Sequence, residues 1–404
     1  MQNKLKIIND PVHGFIKIPY EILFDVIEHP YFQRLRRISQ TGLLSLIFPG
    51  ATHTRFHHAL GAMHLMFTAL ETLKLKSVAI SEEEEKSAML AILLHDVGHG
   101  PFSHALENML MDNWHHEKLS LLLMHKLNEE FGGQLTMAIQ MFKGEYPRKF
   151  FNQLISSQLD VDRLDYLKRD SFYTGVSEGN VNTQRIISMM NVAEGELVID
   201  DKGIYSIENF LTARMFMYWQ VYFHKTSAIA EHLLVKVLER AKFLYSKENK
   251  LPASPNLQYF LENQTFKEAS EEDIQRFTEL DDNDVLQAMK FWTKSDDTVL
   301  AYLCTCIVKR RFPKTVISSD PFSEELIRVK TEQADRLFNT DEGSHLVHHI
   351  KRSLFPYTSD SGNIRLLRKN GEVIPLEHSP NQILTSSILE KNTKFILSYP
   401  REIH

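Results

Sequence analysis

The sequence has few of the residues and runs that mark several protein classes. It contains two cysteines, Cys304 and Cys306, in 404 residues, and its longest strictly apolar run is Ala88–Leu94. A membrane-spanning helix needs about 20 apolar residues, so we expect no transmembrane segment. Two cysteines cannot form a zinc site alone, and we expect reduced thiols on a helix. The N-terminal residues lack the apolar stretch of a secretory signal, which predicts a cytoplasmic protein.

The chain also lacks a lysine- or arginine-rich tract. Its 46 basic and 52 acidic residues give a net charge of −6. Nucleic-acid binding needs a surface that neutralises phosphates, so we expect neither duplex nor single-strand binding. With 43% hydrophobic residues, 16 glycines and 14 prolines, the composition is that of a globular chain with a large core.

Helical periodicity dominates the pattern of apolar residues. It predicts helices over 20–28, 31–40, 55–75, 114–130 and 150–170, another from Pro101, and a long one from Ser206 to about Tyr245. Ser81, followed by four glutamates, predicts the N-cap of a helix that ends at His95–Asp96. We therefore expect a mostly α fold.

Strands are predicted at two places only. The alternating segment 194–207 indicates a hairpin with its turn at Asp200–Gly203, and Asn370–Gly371 marks a second hairpin turn. The composition changes near residue 335. We expect a helical body over 1–335, with a small β-hairpin insertion, and a small α/β C-terminal region over 336–404.

Histidine is concentrated in one part of the chain. Ten of the 19 histidines lie between His53 and His125, which is less than a fifth of the sequence. The adjacent pair His95–Asp96 closes an apolar helix, where an unpaired carboxylate would be costly to bury. Imidazole and carboxylate together suit a divalent cation such as Mn, Fe, Mg or Zn. His104 and Glu107, three residues apart, suit a proton donor tuned by a carboxylate.

The order of these motifs resembles a known family. The pattern H…HD…D, at His58, His95–Asp96 and Asp162, resembles the HD-domain phosphohydrolase superfamily. The surrounding words NDPVHGFIKI, FPGATHTRFHHALG, HDVGHGPFSHALE, WHHE and DVDRLDYLKRD are similar to its deoxynucleoside triphosphate triphosphohydrolase branch. That branch includes an enzyme with a sterile-alpha-motif domain, which we do not expect here because the chain begins almost at the first of these words.

The resemblance implies roles for individual residues. The metal ligands would be His58, His95, Asp96 and Asp162. His104, positioned by Glu107, would be the general acid, and His99 and His116 would contact phosphates or water. Substrate would be bound by Gln40, Arg55, Arg163, Tyr166, Asp170, Arg214, Tyr222 and Lys225. On a continuous helix, Arg214, Tyr218, Tyr222 and Lys225 would share one face.

The implied reaction is metal-dependent hydrolysis of a deoxynucleoside triphosphate (dNTP) to a deoxynucleoside and inorganic triphosphate. Two alternatives stay open. One is an HD phosphohydrolase for a nucleoside monophosphate, a cyclic nucleotide or guanosine tetraphosphate, and the other is a nucleotide sensor without catalysis. The resemblance also implies a homo-oligomer, a dimer or tetramer, and a nucleotide activator bound near Lys6, Gln33 and Arg36.

Overall fold

The computed structural model describes residues 6–107, 109–263, 266, 268–354, 363–383 and 392–403, without the side chains of His104, Leu354 and Asn392. Its helices are α1 (Glu21–Glu28), α2 (Pro30–Gln33), α3 (Arg55–Leu75), α4 (Glu82–Leu94), α5 (His116–Glu130), α6 (Thr136–Lys143), α7 (Phe150–Ile155), α8 (Val161–Thr174), α9 (Thr183–Met189), α10 (Ile204–Met217), α11 (Lys225–Ser246), α12 (Pro255–Glu262), α13 (Glu271–Glu279), α14 (Asp282–Trp292), α15 (Thr298–Val308) and α16 (Glu324–Phe338). Its strands are β1 (Lys6–Asp10), β2 (Gly14–Ile18), β3 (Met190–Ala193), β4 (Glu196–Asp200), β5 (Lys314–Ser318), β6 (His348–Leu354), β7 (Arg365–Leu367), β8 (Val373–Pro375) and β9 (Asn392–Tyr399). The expected mostly α class is confirmed.

Three helices form the centre of the body. α3 and α4 pack against each other, and α8 lies on α3. α4 begins as predicted, because the Ser81 side chain accepts a hydrogen bond from the Glu84 backbone N–H at 3.2 Å while the Glu84 carboxylate accepts one from the Ser81 N–H at 2.9 Å. Every residue from Ser87 to Leu94 is buried. The helix therefore carries the His95–Asp96 pair directly into the core.

Two of the predicted helices are interrupted. The segment 150–170 forms α7 and α8, because Asp160 caps α8 by accepting a hydrogen bond from the Arg163 N–H at 2.7 Å. The helix expected from Pro101 is only a short 3-10 turn, Ser103–Leu106. Phe102 and Ser103 adopt left-handed backbone angles, with φ of 51° and 55°, and a regular helix cannot continue through them.

The prediction of one long helix from Ser206 to Tyr245 is also wrong. α10 begins at Ile204 and passes into a π-helical turn at Tyr218–Tyr222. The chain then breaks, and α11 starts at Lys225 with the His224 side chain as its N-cap. Both cysteines lie buried on α15, and neither forms a disulfide, as expected.

The strands form three small sheets. β1 and β2 make an N-terminal hairpin, and β3 and β4 make the predicted internal hairpin, although its turn is at Glu194–Gly195 and not at Asp200–Gly203. β7 and β8 form the hairpin predicted from Asn370–Gly371. β4 pairs in parallel with β7, and β9 lies between β5 and β6. Two sheets thus join strands from both sides of residue 336.

Among the described helices, none is long and apolar enough to cross a membrane.

Candidate active site

Four side chains from three helices converge at one point in the body. His58 lies on α3, His95 and Asp96 follow α4, and Asp162 is in the first turn of α8. His58 Nε2 lies 3.0 Å from Asp162 Oδ1 and 3.8 Å from Asp96 Oδ2. His95 Nε2 lies 3.5 Å from Asp162 Oδ1 and 3.3 Å from Asp96 Oδ1. These are the four metal ligands expected from the sequence, and the fold brings them together.

The orientation of the two imidazoles suits a cation. The Nδ1 atom of His58 donates to Asp165 at 2.8 Å, and Nδ1 of His95 donates to the Ile92 carbonyl at 2.6 Å. Their Nε2 atoms are buried and lie 3.0–3.8 Å from carboxylate oxygens of Asp96 and Asp162. Metal-binding histidines show this arrangement, in which one nitrogen is held by an acceptor and the other faces the ion. The residues therefore fit a divalent metal ion.

Sequence reasoning missed the residues behind His58. The Asp165 carboxylate also accepts hydrogen bonds from His13 Nε2 at 2.7 Å and from Arg169 Nε at 2.9 Å. Arg169 in turn donates to Asp10 at 2.8 Å, so the N-terminal hairpin is tied to the ligand helix. A Cβ added at Gly61 would lie 2.0 Å from Asp165 Oδ1, which shows why this position on α3 carries glycine. These residues lie in the motifs NDPVHG and DRLDYLKRD, but the sequence alone did not show which of them form hydrogen bonds with each other.

The electrostatic environment favours positive charge at the ligand cluster. Burial lowers the pKa of His58, but the Asp162 and Asp165 carboxylates outweigh it and raise this pKa to about 10. Burial raises the pKa of Asp162, yet the neighbouring His58 and His95 imidazoles hold it below its usual range. The carboxylates of the cluster are thus ionised at neutral pH, as coordination of a cation requires.

A second group of possible ligands adjoins the first. One ligand atom each from Asp96, His99 and His116 lies within 4.8 Å of the others. The rings of His99 and His116 stack with centroids 4.0 Å apart. His116 Nδ1 donates to Glu107 at 2.5 Å. The sequence paired Glu107 with His104; the described hydrogen bond is to His116, and the His104 side chain lies outside the described residues.

A cavity of about 740 Å³ opens beside both groups. Its volume lies within the roughly 300–1,000 Å³ typical of small-molecule sites. The cavity is lined by most of the residues expected to bind substrate, namely Gln40, Arg55, Arg163, Tyr166, Asp170 and Tyr222. Arg55 Nε donates to Ser103 at 2.7 Å, and its NH1 contacts Asp96. Arg163 Nε donates to the Ser157 carbonyl at 2.6 Å.

Two expected substrate contacts are not among the residues lining this cavity. Arg214 is buried and donates to Gln158 at 3.2 Å. Lys225 is exposed at the start of α11. The break between Tyr222 and Lys225 removes the continuous helical face on which their predicted alignment depended.

Polar and aromatic groups form another part of the cavity wall. The Tyr222 hydroxyl donates to Asp170 at 2.6 Å, and the buried His53 donates to the other oxygen of Asp170 at 2.6 Å. The rings of Tyr166 and Tyr222 meet edge to face. Gln40 Oε1 is buried and accepts no hydrogen bond from the described residues, so it is a ready acceptor for a ligand donor. His53 was not identified from the sequence.

The residues expected at a regulatory site lie near the N-terminal hairpin and α2. Arg36 donates to Gln33 at 2.8 Å and lies over the Phe56 ring, while Lys6 lies over the Phe24 ring. Their role in nucleotide regulation, the oligomeric state and the cytoplasmic location stay predictions.

Comparisons with known proteins agree with this geometry. The family model described as HD domain matches residues 55–170, and the model described as HD associated region matches 181–250. The uncharacterized protein YwfO of Bacillus subtilis is 30% identical over 98% of this chain and 93% of its own length. A deoxynucleoside triphosphate triphosphohydrolase SAMHD1 homolog of Dictyostelium discoideum is 32% identical over 58% of this chain. The match covers 49% of that relative, so the chain spans about half its length.

A solved structure extends the similarity over nearly the whole fold. The crystal structure of a phosphohydrolase from Bacteroides thetaiotaomicron is 46% identical, with a TM-score of 0.94 over 98% of this chain and all of that one. Fold, ligand cluster and sequence matches therefore agree, and the chain belongs to the HD-domain phosphohydrolases.

Proposed function

We propose that the chain hydrolyses dNTPs to a deoxynucleoside and inorganic triphosphate. One observation carries the proposal: three of the four residues of the metal-fitting cluster, two arginines and a set of groups suited to a deoxyribose line the same cavity. The dNTP triphosphohydrolase named among the relatives supports the substrate class.

The cluster of His58, His95, Asp96 and Asp162 would hold the divalent ion. When bound, such an ion supplies Lewis-acid neutralisation of phosphate charge and lowers the pKa of nearby water. Arg55 and Arg163 line the same cavity and supply further positive charge for the triphosphate. Each is held through its Nε, which fixes the direction of the guanidinium plane.

Hydrolysis by this route needs a proton donor for the leaving group. Water forms the new bond at the α-phosphorus, the bond to the 5′ oxygen breaks, and that oxygen takes a proton. His116 is the first candidate, because it lines the cavity and its Nδ1 is held by Glu107. This hydrogen bond fixes the orientation of the imidazole, as a proton donor requires. His104 remains the sequence-based candidate, and the variants His116→Asn and His104→Asn separate the two by their loss of kcat.

The sugar would be recognised by Gln40 and the tyrosines. Gln40 Oε1 offers a buried acceptor to a sugar hydroxyl. The Tyr222 ring, held by its bond to Asp170, would lie against the 2′ carbon and leave no room for a ribose hydroxyl.

Product analysis tests the proposal. Protein freed of metal and reloaded with Mn²⁺ is incubated with each dNTP separately and with all four mixed, and the products are separated by chromatography. We expect equal amounts of triphosphate and deoxynucleoside. Orthophosphate or pyrophosphate as the product would contradict the assignment, and binding without turnover would indicate a sensor.

Asp162→Ala is the matching loss-of-function variant. It removes one ligand of the cluster, so both bound metal and hydrolysis should be lost. Asp273→Asn is the control, because Asp273 is a buried carboxylate that bonds back to the Ser270 N-cap of α13 and does not line the cavity. The control should keep metal content and rate.

A further inference from the structure

The cavity has a second wall that the proposed roles leave unused. Glu231, His232 and Val235 of α11 line it, together with Arg352 of β6. None of these residues was singled out in the sequence. The wall joins a helix of the body to a strand of the C-terminal sheet, so it exists only once both parts have folded.

The charges on this wall favour a neutral ligand over phosphates. Glu231 Oε2 and Arg352 NH2 lie 3.9 Å apart, with side-chain exposures of 39% and 33%. A carboxylate facing the cavity repels a triphosphate, and it offsets the charge of its arginine neighbour. Burial, with help from the cationic Lys236 and Arg352, lowers the pKa of His232 to about 4, so this ring is neutral at pH 7. We therefore expect the triphosphate to bind at another part of the cavity wall, next to Arg55 and Arg163.

This inference rests on the proposed function. If the substrate is a dNTP with its triphosphate at Arg55 and Arg163, the part that reaches this wall is the base. We propose that Glu231 and Arg352 read the base and select guanine. Guanine presents two adjacent donors, N1–H and the 2-amino group, and two adjacent acceptors, O6 and N7. A carboxylate accepts from the first pair, and a guanidinium donates to the second.

The other bases match the pair less well. Adenine places the N1 lone pair where guanine has a donor, so it repels the Glu231 carboxylate. Thymine has a single N–H between two carbonyls, and cytosine has a single amino group beside an acceptor. Each therefore offers the pair fewer matched hydrogen bonds than guanine does, and the difference lowers its kcat/KM.

Internal competition is the sharpest test. The metal-loaded protein receives an equimolar mixture of the four dNTPs, and the consumption of each is followed in one tube. Any activator is then shared, so the ratios report relative kcat/KM alone. We expect dGTP to be consumed about tenfold or more faster than each other dNTP, as a bidentate base contact provides.

Two variants assign the preference to the pair. Glu231→Gln should reduce the dGTP preference about fivefold or more, since each good bidentate contact is worth that much. Adding dITP, which lacks the 2-amino group, sharpens the test: it should be consumed more slowly than dGTP by the unmodified protein and equally by Glu231→Gln. Glu239→Gln, on the same helix but paired with Lys236 at the surface, is the control.

Arg352→Met should lower dGTP consumption and remove the difference between dGTP and 7-deaza-dGTP.

Equal consumption of the four dNTPs, or a dGTP preference that Glu231→Gln leaves intact, would overturn the inference. Binding of dGTP and dATP measured by calorimetry separates this failure from that of the proposed function. If neither is hydrolysed but dGTP binds about tenfold tighter in a Glu231-dependent way, base reading stands and the reaction is reassigned. If neither nucleotide binds, both proposals fall.

Discussion

At the scale of single residues, the hydrogen bond from His58 to Asp165 orients one ligand of the proposed metal centre. Asp165 orients the imidazole and is itself held by His13 and Arg169. Removing such a supporting carboxylate typically weakens metal binding about 10- to 100-fold. We therefore expect Asp165→Asn to raise the Kd for Mn²⁺ by that factor, measured by calorimetric titration of the metal-free protein.

Loss of Asp165 also leaves Arg169 with one fewer partner, so folding must be checked. Circular dichroism should show a native helical spectrum, and His13→Gln, which keeps the Arg169 ion pair, should weaken Mn²⁺ binding to a smaller extent. Asp273→Asn is the control for a buried carboxylate outside the site. A folded Asp165→Asn protein with unchanged Mn²⁺ affinity would show that His58 needs no such support.

Tyr222 should determine selection against ribonucleotides. Its ring lines the cavity, and its hydroxyl donates to Asp170 at 2.6 Å. Tyr222→Ala opens space at the sugar and should raise the ratio of kcat/KM for a ribonucleotide to that for its deoxy counterpart by roughly tenfold. Tyr222→Phe keeps the ring and should keep the selection. Equal ratios in the two variants would mean that another group reads the 2′ carbon.

At the scale of elements, β6 packs on α11 through two histidines. The ring of His348 meets that of His232 with centroids 4.9 Å apart, and His348 Nε2 is buried without a hydrogen bond among the described residues. Burial, with His232, Lys236 and His345 nearby, lowers the pKa of His348 to about 3. In the unfolded chain a histidine has a pKa near 6.5, so below that pH the unfolded state binds the extra proton.

Stability should therefore fall as pH drops from 6.5 towards 3. Each such histidine contributes a slope of about 1.4 kcal/mol per pH unit in the free energy of unfolding. His348→Leu should flatten the profile by about this amount per unit between pH 6 and 4.5, measured by urea unfolding. His378→Leu, at an exposed position, should leave it unchanged. An identical slope in all three proteins would contradict the burial of a neutral His348.

Sequence patterns predicted the elements whose limits are set locally. α3 and α4 begin and end where periodicity and the Ser81 capping box indicated. The pattern failed where a tertiary contact or a special backbone angle ends a helix. Nothing in the apolar spacing marks the π-helical turn at Tyr218–Tyr222, and the left-handed Phe102 is not a glycine. Asp160 is a residue type that often caps helices, but the apolar spacing continues across it and predicted one helix instead of two.

At the scale of the molecule, the sequence was sufficient to predict which four side chains lie together, but not which residues hold them in place. The four residues, His58, His95, Asp96 and Asp162, lie in motifs whose order resembles that of the family, so their proximity could be expected. One partner of Asp165 is His13, which lies 152 positions earlier, and no local pattern shows that the N-terminal hairpin reaches α8. The parallel pairing of Ile199 with Leu366 could not be predicted either, since the register of strands far apart in sequence depends on the folded core.

This long-range pairing makes the C-terminal region part of the core. β9 is the central strand of its sheet, and its neighbour β5 belongs to the first 335 residues. Buried C-terminal side chains pack in the same cluster as α11 and α15, among them Leu346, Ile350, Ile396, Leu397, Tyr399 and Ile403. At about 1.5–3 kcal/mol for each buried apolar side chain, their loss is comparable with the 5–15 kcal/mol that stabilises a typical domain.

Deletion of residues 336–404 should therefore unfold the cluster around α15. The reporter is the pair of buried thiols on that helix, Cys304 and Cys306, whose pKa values burial raises. In the full chain both should react slowly with a thiol reagent at pH 8, because they are inaccessible and protonated. In the truncated chain both should react at the rate of the urea-unfolded protein. A truncated protein with protected thiols and a full helical spectrum would instead show that 1–335 is an independent domain, and that the C-terminal sheet only adds a wall to its cavity.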